Sequence, residues 1–100
     1  MAPTLKETES GFMGWVRDAA RTGHWLDYHP LRSEGSEAGW PDLALVRPPR
    51  LILAELKSES GRLSAPQRHW LDLLGQVAGP PEVYLWRPAD RPEIERLLLA

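Results

Sequence analysis

Two neighbouring segments constrain the fold of this chain more than anything else in it: Asp42 to Val46 and Leu51 to Lys57, joined by Arg47-Pro48-Pro49-Arg50. Both are apolar on both faces and read as strands, which predicts a sheet covered on each side. If the loop 47–50 closes an antiparallel hairpin symmetrically, Val46 pairs with Leu51 and Asp42 lies directly opposite Glu55. Opposed residues on one face have Cβ atoms about 4.5–5.5 Å apart. Lys57, two residues beyond Glu55, points to the same face. Three ionisable groups then converge at one end of an otherwise apolar hairpin. A one-residue slip would turn Asp42 to the opposite face and separate them.

The flanking elements follow from periodicity and punctuation. A first helix is expected from about Leu5 or Glu9 to Thr22, with Phe12, Val16, Ala19 and Ala20 on one face and Gly23 as its stop. A short strand follows over Trp25 to His29, ended by Pro30, and residues 32–41 hold the turn formers of a loop. Ser64 begins a second helix with Gln67 three residues on, a capping box. Its apolar positions are Trp70, Leu71, Leu73, Leu74 and Val77, and Gly79-Pro80-Pro81 ends the segment. Glu82 to Trp86 is a fourth strand, and Asp90-Arg91-Pro92-Glu93 caps a last helix carrying Ile94, Leu97 and Leu98. The order helix, three strands, helix, strand, helix predicts a mixed α/β fold, one domain over residues 1–100. Trp15, Trp25, Trp70 and Trp86 are assigned to its core.

Composition narrows the function classes. One hundred residues, 42% of them hydrophobic, suffice for one core and leave no room for a separate substrate domain. Cysteine is absent, which excludes disulfides, thiolate metal sites and cysteine nucleophiles. No apolar run approaches the ~18 residues of a membrane span, and Met1 to Glu9 carries no secretory h-region. A cytosolic chain is expected. The net charge of −2 argues weakly against a nucleic-acid partner. The way the charge is distributed weakens that objection: Arg47, Arg50, Lys57, Arg62 and Arg68 face only Glu55 and Glu59 between residues 47 and 68. The positive charge therefore sits beside the converging carboxylates, where a patch steers anionic ligands better than net charge does.

Opposed carboxylates repel, and burial makes each harder to ionise, so something cationic must compensate. A hard divalent metal does so well, because Mg²⁺ takes one or two carboxylates, keeps waters and adds phosphate oxygens from a substrate. It would act there as a Lewis acid and lower the pKa of a water. Lys57, one of two lysines against ten arginines, is a compact ammonium suited to that water and to transition-state charge. The competing reading is a plain ion pair of Lys57 with Glu55 or Asp42 at a solvated strand end.

Gly39-Trp40-Pro41-Asp42-Leu43 followed by Ala54-Glu55-Leu56-Lys57 resembles the proline-aspartate and glutamate-x-lysine signature of the PD-(D/E)XK nuclease superfamily. Thr8-Glu9, Tyr28-His29, Gly61-Arg62-Leu63-Ser64, Gln67 with Trp70, and Trp86-Arg87-Pro88 fall in the order of its VRR-NUC branch, from about Thr8 to Leu98. The resemblance implies a restriction-endonuclease-like core, a mixed four-stranded sheet flanked by helices. It also implies Mg²⁺- or Mn²⁺-dependent hydrolysis of DNA, often branched or structured as in Holliday junctions and flaps. A homodimer in a bacterial or phage-infected cytoplasm, serving recombination or repair, fits the family.

By the same resemblance, Asp42, Glu55, the backbone carbonyl of Leu56 and Glu9 would hold the metal, with Lys57 and Gln67 completing the catalytic set. Glu9 competes with Glu7 for its role, and is equally a first-turn carboxylate favourable to the helix dipole. Gln67 is equally explained as a cap. His29, Ser33, Arg47, Arg50, Arg62, Arg68 and Arg87 are the expected DNA contacts, against structural or ordinary surface roles for His29, Arg62 and Arg87. Trp40, before Pro41, is the tryptophan placed to touch a nucleotide. A non-catalytic nucleic-acid-binding domain and a protein-interaction subunit are the alternatives.

Overall fold

The computed structural model describes residues 8–30 and 37–100. Its elements are α1 (Glu9–Thr22), β1 (Leu26–Tyr28), β2 (Leu43–Arg47), β3 (Arg50–Leu56), α2 (Ala65–Leu74), β4 (Glu82–Trp86) and α3 (Arg91–Leu99), with a 3-10 turn over Pro88–Asp90. The expected order of elements is the observed one. Ser33, Glu7 and the earlier helix start at Leu5 lie outside the described residues.

The four strands form one sheet in the order β1-β2-β3-β4. The first three make an antiparallel meander, and β4 returns parallel to β3 through α2. The hairpin is tighter than expected: Arg47 and Arg50 pair, leaving only Pro48 and Pro49 in the turn. Val46 pairs with Leu51 and Leu43 with Ala54, so the next position along the ladder sets Asp42 against Glu55. The register that the chemistry requires is the one that forms.

Alternation along the strands divides the sheet. Leu43, Leu45, Ile52, Ala54, Leu56 and Trp86 face Phe12, Val16 and Ala20 of α1 and Ile94 and Leu98 of α3 in one buried core. Thr8 starts α1 by accepting a hydrogen bond from Gly11 N, which satisfies one of the open amides of the first turn. Gly23 ends it where the backbone of α3 presses in: a Cβ there would fall 2.0 Å from Leu98 O. Trp25 is buried and its Nε1 donates to the same carbonyl at 2.9 Å.

The opposite face is less covered than the continuous apolar runs predicted. Leu26 is 74% exposed and Val46 38%, and with half-buried Leu51 they form an apolar row across β1, β2 and β3. Helix α2 leaves that row open. It stops at Leu74 with Gly75 as its cap, so Val77 falls beyond the helix and is exposed, as is Leu73. Of the side chains on α2, only Gln67 is buried. Trp70 is likewise not core: it is half-buried and lines a surface pocket.

Candidate active site

The end of the hairpin away from the Pro48-Pro49 turn opens into a pocket of about 960 Å³, walled by the first turn of α1, the end of β1, residues 37–42, Lys57, residues 62–64 and the start of α2. Asp42, Lys57, Gln67, Glu9, His29 and Arg62 all stand on that wall. Glu55 lies behind them, 1% exposed.

Local structure fixes each group. Asp42 precedes β2, and its Oδ2 accepts from Leu56 N at 3.0 Å. The carboxylate thus continues the β2–β3 pairing with a side chain after the backbone ladder ends. His29 Nδ1 is 2.7 Å from Asp42 O; a carbonyl only accepts, so Nδ1 carries the proton and holds the Asp42 backbone. Gln67 serves two elements at once. Its Oε1 accepts from Ser64 N at 2.8 Å while its own N–H donates to Ser64 Oγ, the complete capping box. That bond orients the amide and leaves Nε2 to donate to Glu55 Oε1 at 3.3 Å. One residue thus completes the cap and reaches the buried carboxyl.

Glu55 Oε2 is buried and, among the described residues, meets no N–H or hydroxyl donor; the Asp42 carboxyl beside it can donate only when one of the two carries a proton. Burial, the neighbouring Asp42 carboxyl within hydrogen-bond reach, and the Asp42 charge push the Glu55 carboxyl up from 4.5 to about 9; Lys57 opposes the shift and Glu9 adds to it. Without a cation, the pair therefore holds a proton at neutral pH. Among the described residues Lys57 lies within ion-pair distance of no carboxylate. No close Lys57 ion pair therefore forms among the described residues, although the Lys57 charge acts on Glu55. Lys57 stands on the pocket wall.

The donor set suits a hard divalent ion. Among the described residues no three His, Cys, Asp or Glu side chains gather into a metal-holding group, so this is not a closed all-protein cage. Mg²⁺ does not need one, since one or two carboxylates with waters and substrate phosphate suffice. An unpartnered buried carboxylate oxygen beside a second carboxylate is what such an ion would satisfy. Glu9, exposed on the first turn of α1, shares the pocket but does not join the pair as a third close ligand.

The arginines divide. Arg62 lines the pocket and Arg68 is exposed on α2 beyond it. Arg47 sits at the far end of the hairpin, donating to Gly23 O, Leu98 O and Ala100 O and lying 4.5 Å over the Trp25 ring. Arg50 there makes a two-pronged ion pair with Glu82 at 2.7 Å. Both are held in internal contacts at the end of the hairpin away from the pocket, which neither of them lines. Arg87 is also structural: its Nη1 donates to Ser58 O and Gly61 O at 2.6 and 2.7 Å, holding the loop that carries Arg62 to the pocket. Trp70 is a pocket residue that the core assignment missed. Its i, i+3 spacing from Gln67 puts the two on one helix face, the signal that pointed to it.

A mixed sheet that brings a proline-aspartate turn and a glutamate-x-lysine strand to one pocket defines a nuclease-type domain on a restriction-endonuclease-like core. The family model for the VRR-NUC domain matches residues 17–85, and the chain belongs to that family. Asp42, Glu55, Lys57 and Gln67 lie within the matched span, and Glu9 precedes it. No curated protein and no solved structure matches the chain.

Proposed function

We propose that the chain is a divalent-metal-dependent deoxyribonuclease whose reaction centre is Asp42, Glu55 and Lys57. The observation that carries this reading is the buried Glu55 carboxyl beside Asp42, its Oε2 without an N–H or hydroxyl donor among the described residues, behind the wall of a pocket of about 960 Å³. Asp42, Glu55 and the Leu56 carbonyl would hold Mg²⁺ or Mn²⁺, which when bound supplies Lewis-acid polarisation of the phosphate and a more acidic water. Gln67 orients the Glu55 carboxyl by donating to Oε1. His29 fixes Asp42 through its backbone. Glu9 acts at one remove, through water.

Lys57 orients the attacking water and offsets the charge that develops on the phosphate oxygens. The water oxygen forms the new bond to phosphorus as the bond to one sugar oxygen breaks; the attacking water gives up one proton and the departing sugar oxygen takes one up, so the step balances as addition of water across the P–O bond. Arg62 and Arg68 contact the phosphate backbone. Branched or flapped DNA is the proposed substrate and a cytoplasmic homodimer the proposed form. The open apolar row Leu26, Val46 and Leu51 supports a second copy, since such a patch is costly to leave in water. Sedimentation of Val46→Glu beside wild type checks it: only wild type should be dimeric.

Labelled linear, flap and four-way DNA incubated with and without Mg²⁺ tests the activity. Metal-dependent cleavage is expected, fastest on the branched forms. Lys57→Ala should bind metal and DNA yet lose on the order of a hundredfold in kcat. No cleavage of any substrate at millimolar Mg²⁺ or Mn²⁺ would contradict the assignment.

A further inference from the structure

The pocket wall carries more apolar aromatic surface than phosphate binding needs. Trp40 is 41% exposed on it, and its indole meets Trp70 edge to face with ring centroids 5.0 Å apart. Single exposed aromatics are common on protein surfaces. This one is held in place from three sides. Gly39 has φ +89° and packs so closely on the start of α2 that a Cβ would lie 2.4 Å from Pro66 C. Pro41 is fully buried. Trp70 Nε1 donates to Ala38 O at 3.1 Å. The segment 38–41 is therefore locked to α2, and Trp40 is displayed two residues before Asp42, within about 7 Å along the chain.

We infer that Trp40, braced by Trp70, is a stacking platform for an unpaired base next to the scissile phosphate, so that the site selects DNA with a single-stranded or frayed nucleotide there. The inference rests on the nuclease reading for the position of the phosphate. An indole face binds any base through its π surface. In a continuous duplex both faces of each base are already covered by neighbours, and exposing one requires unstacking that costs a few kcal/mol. A single-stranded flap or a frayed end presents that face at far lower cost. Arg62, on the same wall, meets the backbone while Trp40 meets the base. Trp40 is a positioning residue: it chooses which nucleotide enters, and Asp42, Glu55 and Lys57 act on the phosphate.

The test measures equilibrium binding of the full chain, in EDTA so that nothing is cut, to a fluorescent thymidine 15-mer and to the same 15-mer with abasic sites at its centre. Both carry the same phosphates. Wild type should bind the base-bearing strand about tenfold more tightly. Trp40→Ala should bind both strands equally, and Trp40→Phe, which keeps a ring, should restore most of the difference; thermal melting shows whether each variant folds. Equal binding of the two strands by wild type, absence of binding to either, or an undiminished preference in folded Trp40→Ala would overturn the inference. Cleavage assays with Mg²⁺ separate it from the nuclease reading. Base preference without cleavage retains the platform and removes the enzyme, while cleavage without base preference removes the platform alone.

Discussion

Gln67 ties the start of α2 to Glu55: its Oε1 is taken by Ser64 N at 2.8 Å, which turns its Nε2 toward Glu55 Oε1 at 3.3 Å. One amide side chain thus couples a helix cap to a buried carboxyl, and the two functions separate by mutation. Ser64→Ala removes an N-cap oxygen and should cost about 1 kcal/mol of stability. Gln67→Ala removes the reciprocal cap bond and the donor to Glu55, and should cost about 1–2 kcal/mol. Only Gln67→Ala should also weaken Mg²⁺ binding, because the ionised Glu55 loses its donor. Denaturant melts and calorimetric Mg²⁺ titrations of both variants check this; equal loss of Mg²⁺ affinity in the two would contradict it.

The metal-free chain should become less stable as pH rises. Glu55 is pushed up from 4.5 to about 9, chiefly by burial and by Asp42. Between those values the folded chain holds a proton that the unfolded chain has released. This contribution to stability is complete below about pH 4.5 and lost as pH approaches about 9, with a slope of up to about 1.4 kcal/mol per pH unit. Glu55→Gln should flatten the decline and be the more stable protein at pH 8 without metal. Saturating Mg²⁺ should flatten it in wild type by holding Glu55 ionised. Urea melts across pH 5–8.5, with and without Mg²⁺, read these slopes. A metal-free wild type whose stability rises across that range would contradict the assignment of the shift.

The arginines should separate by salt dependence. Arg62→Ala and Arg68→Ala should each weaken DNA binding and reduce the log–log salt slope by about 0.9. Arg47→Ala should leave that slope unchanged and lower the melting temperature, since it strips three carbonyls of a donor and uncovers Trp25. A changed salt slope in folded Arg47→Ala would return it to the DNA path.

The hairpin was legible in the sequence because two facts agreed: the apolar runs ended at matching distances from the Pro-Pro turn, and carboxylates lay at both matching ends. Register followed from counting, and with it the Asp42–Glu55 juxtaposition. The capping box was legible for the same local reason. Arg47 and Arg87 were not legible because what holds them is remote or backbone: Arg47 donates to carbonyls at residues 23, 98 and 100, and Arg87 to those at 58 and 61. The hairpin register already set Arg47 and Arg50 beside the Pro-Pro turn, at the end away from Asp42 and Glu55, and a charge count over the segment overlooked it. Helix α2 is shorter than its apolar period suggests because Val77 continues that period beyond Gly75, where the helix stops. Its leucines follow a core-like composition, yet the sheet face beneath them is only partly covered.

In the proposed reading, Asp42 and Glu55 together form a divalent-metal site on which cleavage depends. Asp42→Asn and Glu55→Gln keep shape and remove charge, so the most direct measurement is cleavage of branched DNA by both variants at fixed Mg²⁺, beside a calorimetric Mg²⁺ titration of each. The expected result is folded proteins, Mg²⁺ affinity lowered tenfold or more, and cleavage reduced at least about a thousandfold. Undiminished cleavage by either variant, under conditions where wild type cuts, would contradict it.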